Sequence, residues 1–118
     1  DIVGQSNIDN IKSILKKFGQ EIPTAITVPD GAAQKALMLD MTRFSDVFAQ
    51  ASAEYAPHKL CAYIYDLAND FNRFYHETKI LAEEDQDKKN GYIALISYCK
   101  DILETCIELL GFSAPEKM

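Results

Sequence analysis

The chain has 118 residues, of which 47% are hydrophobic and 25% charged, and its formal net charge is −6. That length supports one domain rather than two, and that composition builds a real core, which excludes an intrinsically disordered chain. No apolar run approaches the ~20 residues of a membrane-spanning helix, and the acidic balance argues against a general nucleic-acid binder with a uniformly basic surface.

The acidity is unevenly placed. Glu21, Asp30, Asp40, Asp46 and Glu54 face only Lys35 and Arg43 across residues 21–56, and Glu83-Glu84-Asp85-Gln86-Asp87 concentrates four carboxylates. The first twenty residues carry a small positive excess, and residues 57–82 and 88–118 are balanced. Other faces are therefore left able to meet phosphate. The opening Asp1-Ile2-Val3-Gly4 has neither the basic head nor the apolar stretch of a signal peptide, and it lacks an initiator Met. With Met118 closing the chain, the expectation is one domain over 1–118, cut from the C-terminal end of a longer protein.

In chain order, Ile8, Ile11, Leu15 and Phe18 step by three, four and three, which predicts a short amphipathic helix ending at a Gly19 cap. Glu21 to Pro29 reads as an extended connector, with Asp30 as the N-cap of the next helix. Leu37, Met41, Phe44, Phe48, Ala51 and Tyr55 then continue a helical stripe, as one helix or as two with a kink near Met41–Phe44. Pro57 suits the first turn of a further helix. Leu60, Ile64, Leu67, Phe71, Phe74, Thr78 and Leu81 extend that helix to about Ala82. The acidic run with Asn90-Gly91 reads as a loop. A last helix places Tyr92, Ile96, Cys99, Leu103, Cys106 and Leu110 on one stripe, widened by Leu95, Ile102 and Leu109. Gly111 is its expected cap, and Pro115 forbids continuation. Such stripes can be buried only against one another, so the expected fold is an all-α helix bundle of four to five helices.

Little here points to catalysis. No glycine-rich phosphate loop is present, and no nucleophile–base set. The acidic run lacks the spacing and closing Glu of an EF-hand, and a solvated loop is the simpler reading. Cys61, Cys99 and Cys106 show no zinc spacing. Cys99 and Cys106, seven apart on one helix, are separated by ~10 Å, beyond disulfide reach. All three read as buried thiols of a reducing cytosol. His58, after the helix-starting Pro57, reads as a surface residue. Asn72, Arg73, Tyr75, His76 and Lys79 bring aromatic and basic groups to one helix end. An ordinary solvated face would look the same. The functional alternative is a single-stranded nucleic-acid platform, in which Tyr75 stacks a base while Arg73, His76 and Lys79 meet phosphates.

Two segments carry a family resemblance. One is Pro57-His58-Lys59-Leu60-Cys61-Ala62-Tyr63-Ile64-Tyr65-Asp66-Leu67-Ala68-Asn69-Asp70-Phe71-Asn72-Arg73-Phe74-Tyr75. The other runs from Ile102 through Leu109-Leu110-Gly111-Phe112 and closes on Pro115-Glu116-Lys117-Met118. Together they resemble the C-terminal anticodon-binding domain of arginyl-tRNA synthetases, the DALR domain. Ile11-Lys12-Ser13-Ile14-Leu15-Lys16-Lys17, Leu37 to Val47, and Ile93-Ala94-Leu95 extend the likeness over nearly the whole chain. Ser6-Asn7 stand where that family has Tyr-Ala, Gln34 where it often has Glu, and Tyr92 where Arg is common.

The resemblance implies a helical bundle that grips the anticodon loop of arginine tRNA. It also implies that the rest of the synthetase chain, a class I arginine–tRNA ligase of the cytoplasm, performs aminoacylation. ATP and magnesium would belong to that catalytic domain. This piece would take no cofactor or metal, meet no membrane and do no catalysis alone. The tRNA-binding residues the resemblance implies are Tyr75, Lys117 and Met118, to which the basic patch adds Arg73, His76 and Lys79. Two alternatives stand beside this: a helical protein-interaction bundle with no RNA role, and the DALR domain of another class I synthetase.

Overall fold

The computed structural model describes residues 4–24, 31–54 and 57–113. They form α1 (Gln5–Phe18), α2 (Ala32–Thr42), α3 (Phe44–Glu54), α4 (Pro57–Glu77) and α5 (Gln86–Ser113), with no strand among the described residues. The bundle measures 47 × 25 × 22 Å. Helix α4 lies at its centre, packed on α2, α3 and α5, while α1 packs on α5 and more lightly on α4. No helix among the described residues is long and apolar enough to cross a membrane.

The expected stripes of α1, α4 and α5 supply most of the core, whereas Phe48, expected on the stripe of α3, is 40% exposed. Ile8, Ile11 and Phe18 of α1, Leu60, Ile64, Leu67, Phe71 and Phe74 of α4, and Ile96, Cys99, Leu103 and Cys106 of α5 are all buried. Ile93 and Ala94 are buried as well, because α5 is flanked by α1, α2 and α4 and its apolar face must be broad. Gly4 shows how closely the elements approach. Its φ is +92°, and a Cβ there would lie 3.1 Å from Ile64 Cγ2 and 3.3 Å from Leu103 Cδ2. Gly19 caps α1 as expected, with φ +67° and its N–H donating to Leu15 O at 3.3 Å.

The kink near Met41–Phe44 is a full break at Arg43, whose N–H closes a tight turn on Asp40 O at 3.1 Å. Tyr63 stabilises it from α4. Its hydroxyl donates to Asp40 O at 2.6 Å, the Arg43 guanidinium lies 5.5 Å over its ring, and Phe44 packs 6.3 Å away. The bond adds a second donor to a carbonyl at the end of α2 and so ties the turn to α4. Burial pushes the Tyr63 hydroxyl well above its ordinary pKa, so it stays a donor.

Several expectations need correction. Helix α4 stops at Glu77, five residues short of Ala82, and the turn that follows folds Ile80 into the core at 4% exposure. Ile80 lies off the α4 stripe, so a continued helix would have left it in water. Asn90-Gly91 is not a loop, since α5 already starts at Gln86 and Gly91 is buried inside it. The acidic run supplies the start signal. Asp85 Oδ1 accepts from the N–H groups of Asp87 at 3.0 Å and Lys88 at 3.3 Å, which makes Asp85 the N-cap. Gly111 is no cap either, because α5 runs through it to Ser113. The cap position of α2 is Gly31, and Asp30, like Tyr55, lies outside the described residues. Cys61 is exposed, not buried, being a full helical step from Leu60.

Three outcomes follow from this packing. Phe74, fully buried and edge-on to Tyr92 at 5.6 Å, should cost about 3–5 kcal/mol when replaced by Ala. Asp85→Ala should cost only ~1 kcal/mol, the value of one N-cap. Chemical denaturation of both variants measures the contrast. Burial raises the thiols of Cys99 and Cys106 to about 12, so both stay protonated and inert at pH 8. A thiol reagent should therefore titrate Cys61 alone in the native chain and all three cysteines in denaturant.

Candidate nucleic-acid interface

The last two turns of α4 alternate core and surface because the buried stripe is narrow. Phe71 and Phe74 are fully buried, and Tyr75, one step round the helix, keeps 40% of its surface exposed. Its ring stacks on Phe71 at 5.9 Å and 17°, with His76 edge-on at 5.7 Å. The inner face of Tyr75 is thus fixed by core packing, and the outer part of the ring is open.

Tyr75, His76, Thr78 and Lys79 line one wall of a cleft of roughly 590 Å³, and Asn10, Ser13 and Lys17 of α1 line the other. Ile14, Ile80 and Leu81 form its floor. Among the described residues no carboxylate lines it, while Lys17 and Lys79 bring positive charge and His76 an imidazole. Beyond Lys79 the sign reverses, because Glu77 and Glu83 border the adjoining groove. The cationic surface is therefore local. A half-open aromatic ring with cationic side chains around it is suited to stack a base and hold its backbone phosphates.

Of the six residues expected to bind tRNA, the structure brings three together: Tyr75, His76 and Lys79. Arg73 stands outside the cleft and pairs with Glu77 at 3.3 Å, both residues being more than half exposed. Such a surface pair is worth under about 1 kcal/mol and can be exchanged for a phosphate. Lys117 and Met118 lie outside the described residues. Asn72 is engaged by Asn7, at 2.9 Å. Lys17, Asn10 and Ser13 were not foreseen. The signal for them was the basic last turn of α1, Lys16-Lys17, but only the packing of α1 beside α4 turns it toward Tyr75. Among the described residues, no group of three or more His, Cys, Asp or Glu side chains is placed to hold a metal ion.

The fold is an all-helical bundle with one aromatic and basic cleft. The profile of the DALR anticodon binding domain matches residues 5–118, and the chain belongs to that family. Its relatives include the arginine–tRNA ligase of Agathobacter rectalis, 51% identical over 117 residues, which cover 94% of this chain and 20% of that protein. The arginine–tRNA ligase of Alkaliphilus oremlandii is 44% identical over 114 residues, 94% of this chain and 19% of that protein. That of Flavobacterium psychrophilum is 35% identical over 108 residues, 92% of this chain and 18% of that protein. The chain thus spans about one fifth of the relatives it matches. No solved structure matched it.

Replacing Tyr75 by Ala should weaken RNA binding by roughly 1–3 kcal/mol, and Tyr75→Phe by much less, because the ring face makes the contact. Fluorescence titration of both variants checks this, and equal binding by all three proteins would make Tyr75 a mere surface aromatic.

Proposed function

We propose that this chain is the anticodon-binding domain of an arginine–tRNA ligase and that it grips the anticodon loop of arginine tRNA in the cleft between α1 and the end of α4. The observation that carries the reading is the half-open Tyr75 ring, backed by Phe71 and set among Lys17, His76 and Lys79 in a chain of the DALR family. A loop base stacks on Tyr75, and Lys17, His76 and Lys79 meet the flanking phosphates. Arg73 exchanges Glu77 for phosphate, and Lys117 and Met118 contribute contacts to the tRNA, as the family resemblance implies.

The rest of the synthetase chain, a class I catalytic domain, activates arginine with ATP and magnesium in the cytoplasm. This domain's part is to hold the tRNA so that its acceptor end reaches that site. The second reading, a protein-interaction bundle, draws on the net charge and on an apolar groove formed by Met38, Met41, Leu95 and Ile102. A gel shift separates the two. Arginine tRNA should be retained in preference to another tRNA, and equal or absent retention would contradict the proposal.

Two further outcomes follow. With so few cationic groups at the cleft, the slope of log K against log salt should be shallow, about −2 to −4, at roughly 0.7–0.9 per neutralised phosphate. A slope near −10 would mean a much larger basic surface. Deleting Lys117 and Met118 should weaken tRNA binding and leave the melting temperature nearly unchanged. Melts and titrations on one truncated sample decide the point, and a fall in both together would make the tail structural.

A further inference from the structure

Helices α1 and α4 run in the same direction, and three contacts set their register. A Cβ on Gly4, just ahead of α1, would lie 3.1 Å from Ile64 Cγ2. The Asn7 amide donates to Ala68 O at 3.3 Å and to Asn72 Oδ1 at 2.9 Å. Further on, Asn10, Ser13 and Lys17 line the cleft with Tyr75, His76, Thr78 and Lys79. The Tyr75 ring leans back over Phe71, as helical side chains do, which brings it level with Asn10. Lys17 falls level with Lys79. Ser13 lies between, about 4.5 Å beyond Asn10 and about 6 Å short of Lys17 along the helix axis.

The Ser13 hydroxyl is uncommitted. Other helical hydroxyls bond a carbonyl of their own helix: Thr42 donates to Leu39 O at 2.6 Å and Thr105 to Asp101 O at 2.8 Å. Ser13, exposed on α1, has no hydrogen-bond partner among the described residues. Along the α1 wall the order of groups is therefore amide, hydroxyl and ammonium. A nucleotide has a matching order of base, sugar and phosphate. With its base on Tyr75 and a phosphate between Lys17 and Lys79, its sugar passes Ser13.

We infer that Ser13 is a specificity-determining residue whose hydroxyl hydrogen-bonds the ribose 2′-hydroxyl of the nucleotide stacked at Tyr75, so that the cleft prefers ribonucleotides to deoxyribonucleotides. This rests on the reading of the cleft as the anticodon-loop site. Each of the two hydroxyls can donate or accept, so the bond forms in either sense and suits any of the four bases. Stacking on Tyr75 and neutralisation of phosphate are both indifferent to the 2′-hydroxyl, so neither tells RNA from DNA. Thr78 carries the cleft's other aliphatic hydroxyl. It stands on the ridge shared with the groove bordered by Glu77 and Glu83, where a sugar–phosphate strand is repelled.

The test titrates the chain with an RNA stem-loop that carries an arginine anticodon, and with versions holding one 2′-deoxynucleotide at each loop position in turn. At one position the parent chain should lose affinity by ~3- to 10-fold, the range of one net hydrogen bond. Ser13→Ala should bind the all-ribose loop more weakly by a similar factor and lose nothing more at that position. Its melting temperature should hold, since Ala suits an exposed helix position. Ser13→Thr, which keeps the hydroxyl, should keep the penalty. So should Thr78→Val, and so should Lys17→Met, which should instead flatten the salt slope by roughly 0.7–0.9. A penalty that came from sugar pucker would survive Ser13→Ala. If it does survive, or if no position shows a penalty while binding depends on Tyr75, this inference falls and the anticodon-loop reading stands. If the parent chain binds no stem-loop, or is indifferent to Tyr75→Ala, both fall.

Discussion

Burial of the α4 stripe from Leu60 to Phe74 is the constraint on which the rest depends. Leu67, Phe71 and Phe74 are fully buried, and the other four helices pack on α4, α1 most lightly. A helix held so firmly on one side has no rotational freedom. Residues one step off the stripe are consequently presented at set angles. Tyr75 emerges beside α1 with one face on Phe71, and Asn72 emerges where Asn7 can reach it. The candidate site is thus the outer edge of the core. Most of the ordering cost of an aromatic platform has been met by folding, before any RNA arrives.

Electrostatics then sets the character of binding. A chain of net charge −6 repels a polyanion at long range, yet Lys17, His76 and Lys79 converge in a cleft that no carboxylate lines among the described residues. The acids lie at its border, in Glu77 and Glu83. Such an arrangement favours a short, shaped segment of nucleic acid over long duplex, since only a few phosphates can be neutralised at once. Stacking and hydrogen bonds must supply much of the remaining affinity, which suits an exposed loop whose bases can be splayed out.

Much of this was legible in the sequence. The three-and-four spacing of apolar residues located the helices among the described residues, Gly19 and Pro57 marked true ends, and of the two readings left open at Met41–Phe44 the structure has two helices. What escaped was tertiary in origin. Ile80 ends α4 early because a turn can bury it and a helix cannot. Gly91 sits inside α5 because the Asp85 cap and the packing of that helix outweigh a local tendency worth only about 1 kcal/mol. The cleft was half legible. Tyr75, His76 and Lys79 announce themselves on one helix end, whereas Lys17 belongs to the site only through the packing of α1 beside α4. Arg73 looked equivalent to its neighbours, but a helical partner four residues on, Glu77, holds it aside.

In the proposed function one cleft, between α1 and the end of α4, receives the RNA loop. Chemical-shift mapping of the isotopically labelled chain during titration with an arginine anticodon stem-loop tests it most directly. The predicted result is a contiguous set of perturbed amides over residues 7–17 and 72–79, with α3 nearly silent. Perturbations centred on α2 and α3, or on the groove lined by Met38, Met41 and Ile102, would contradict it.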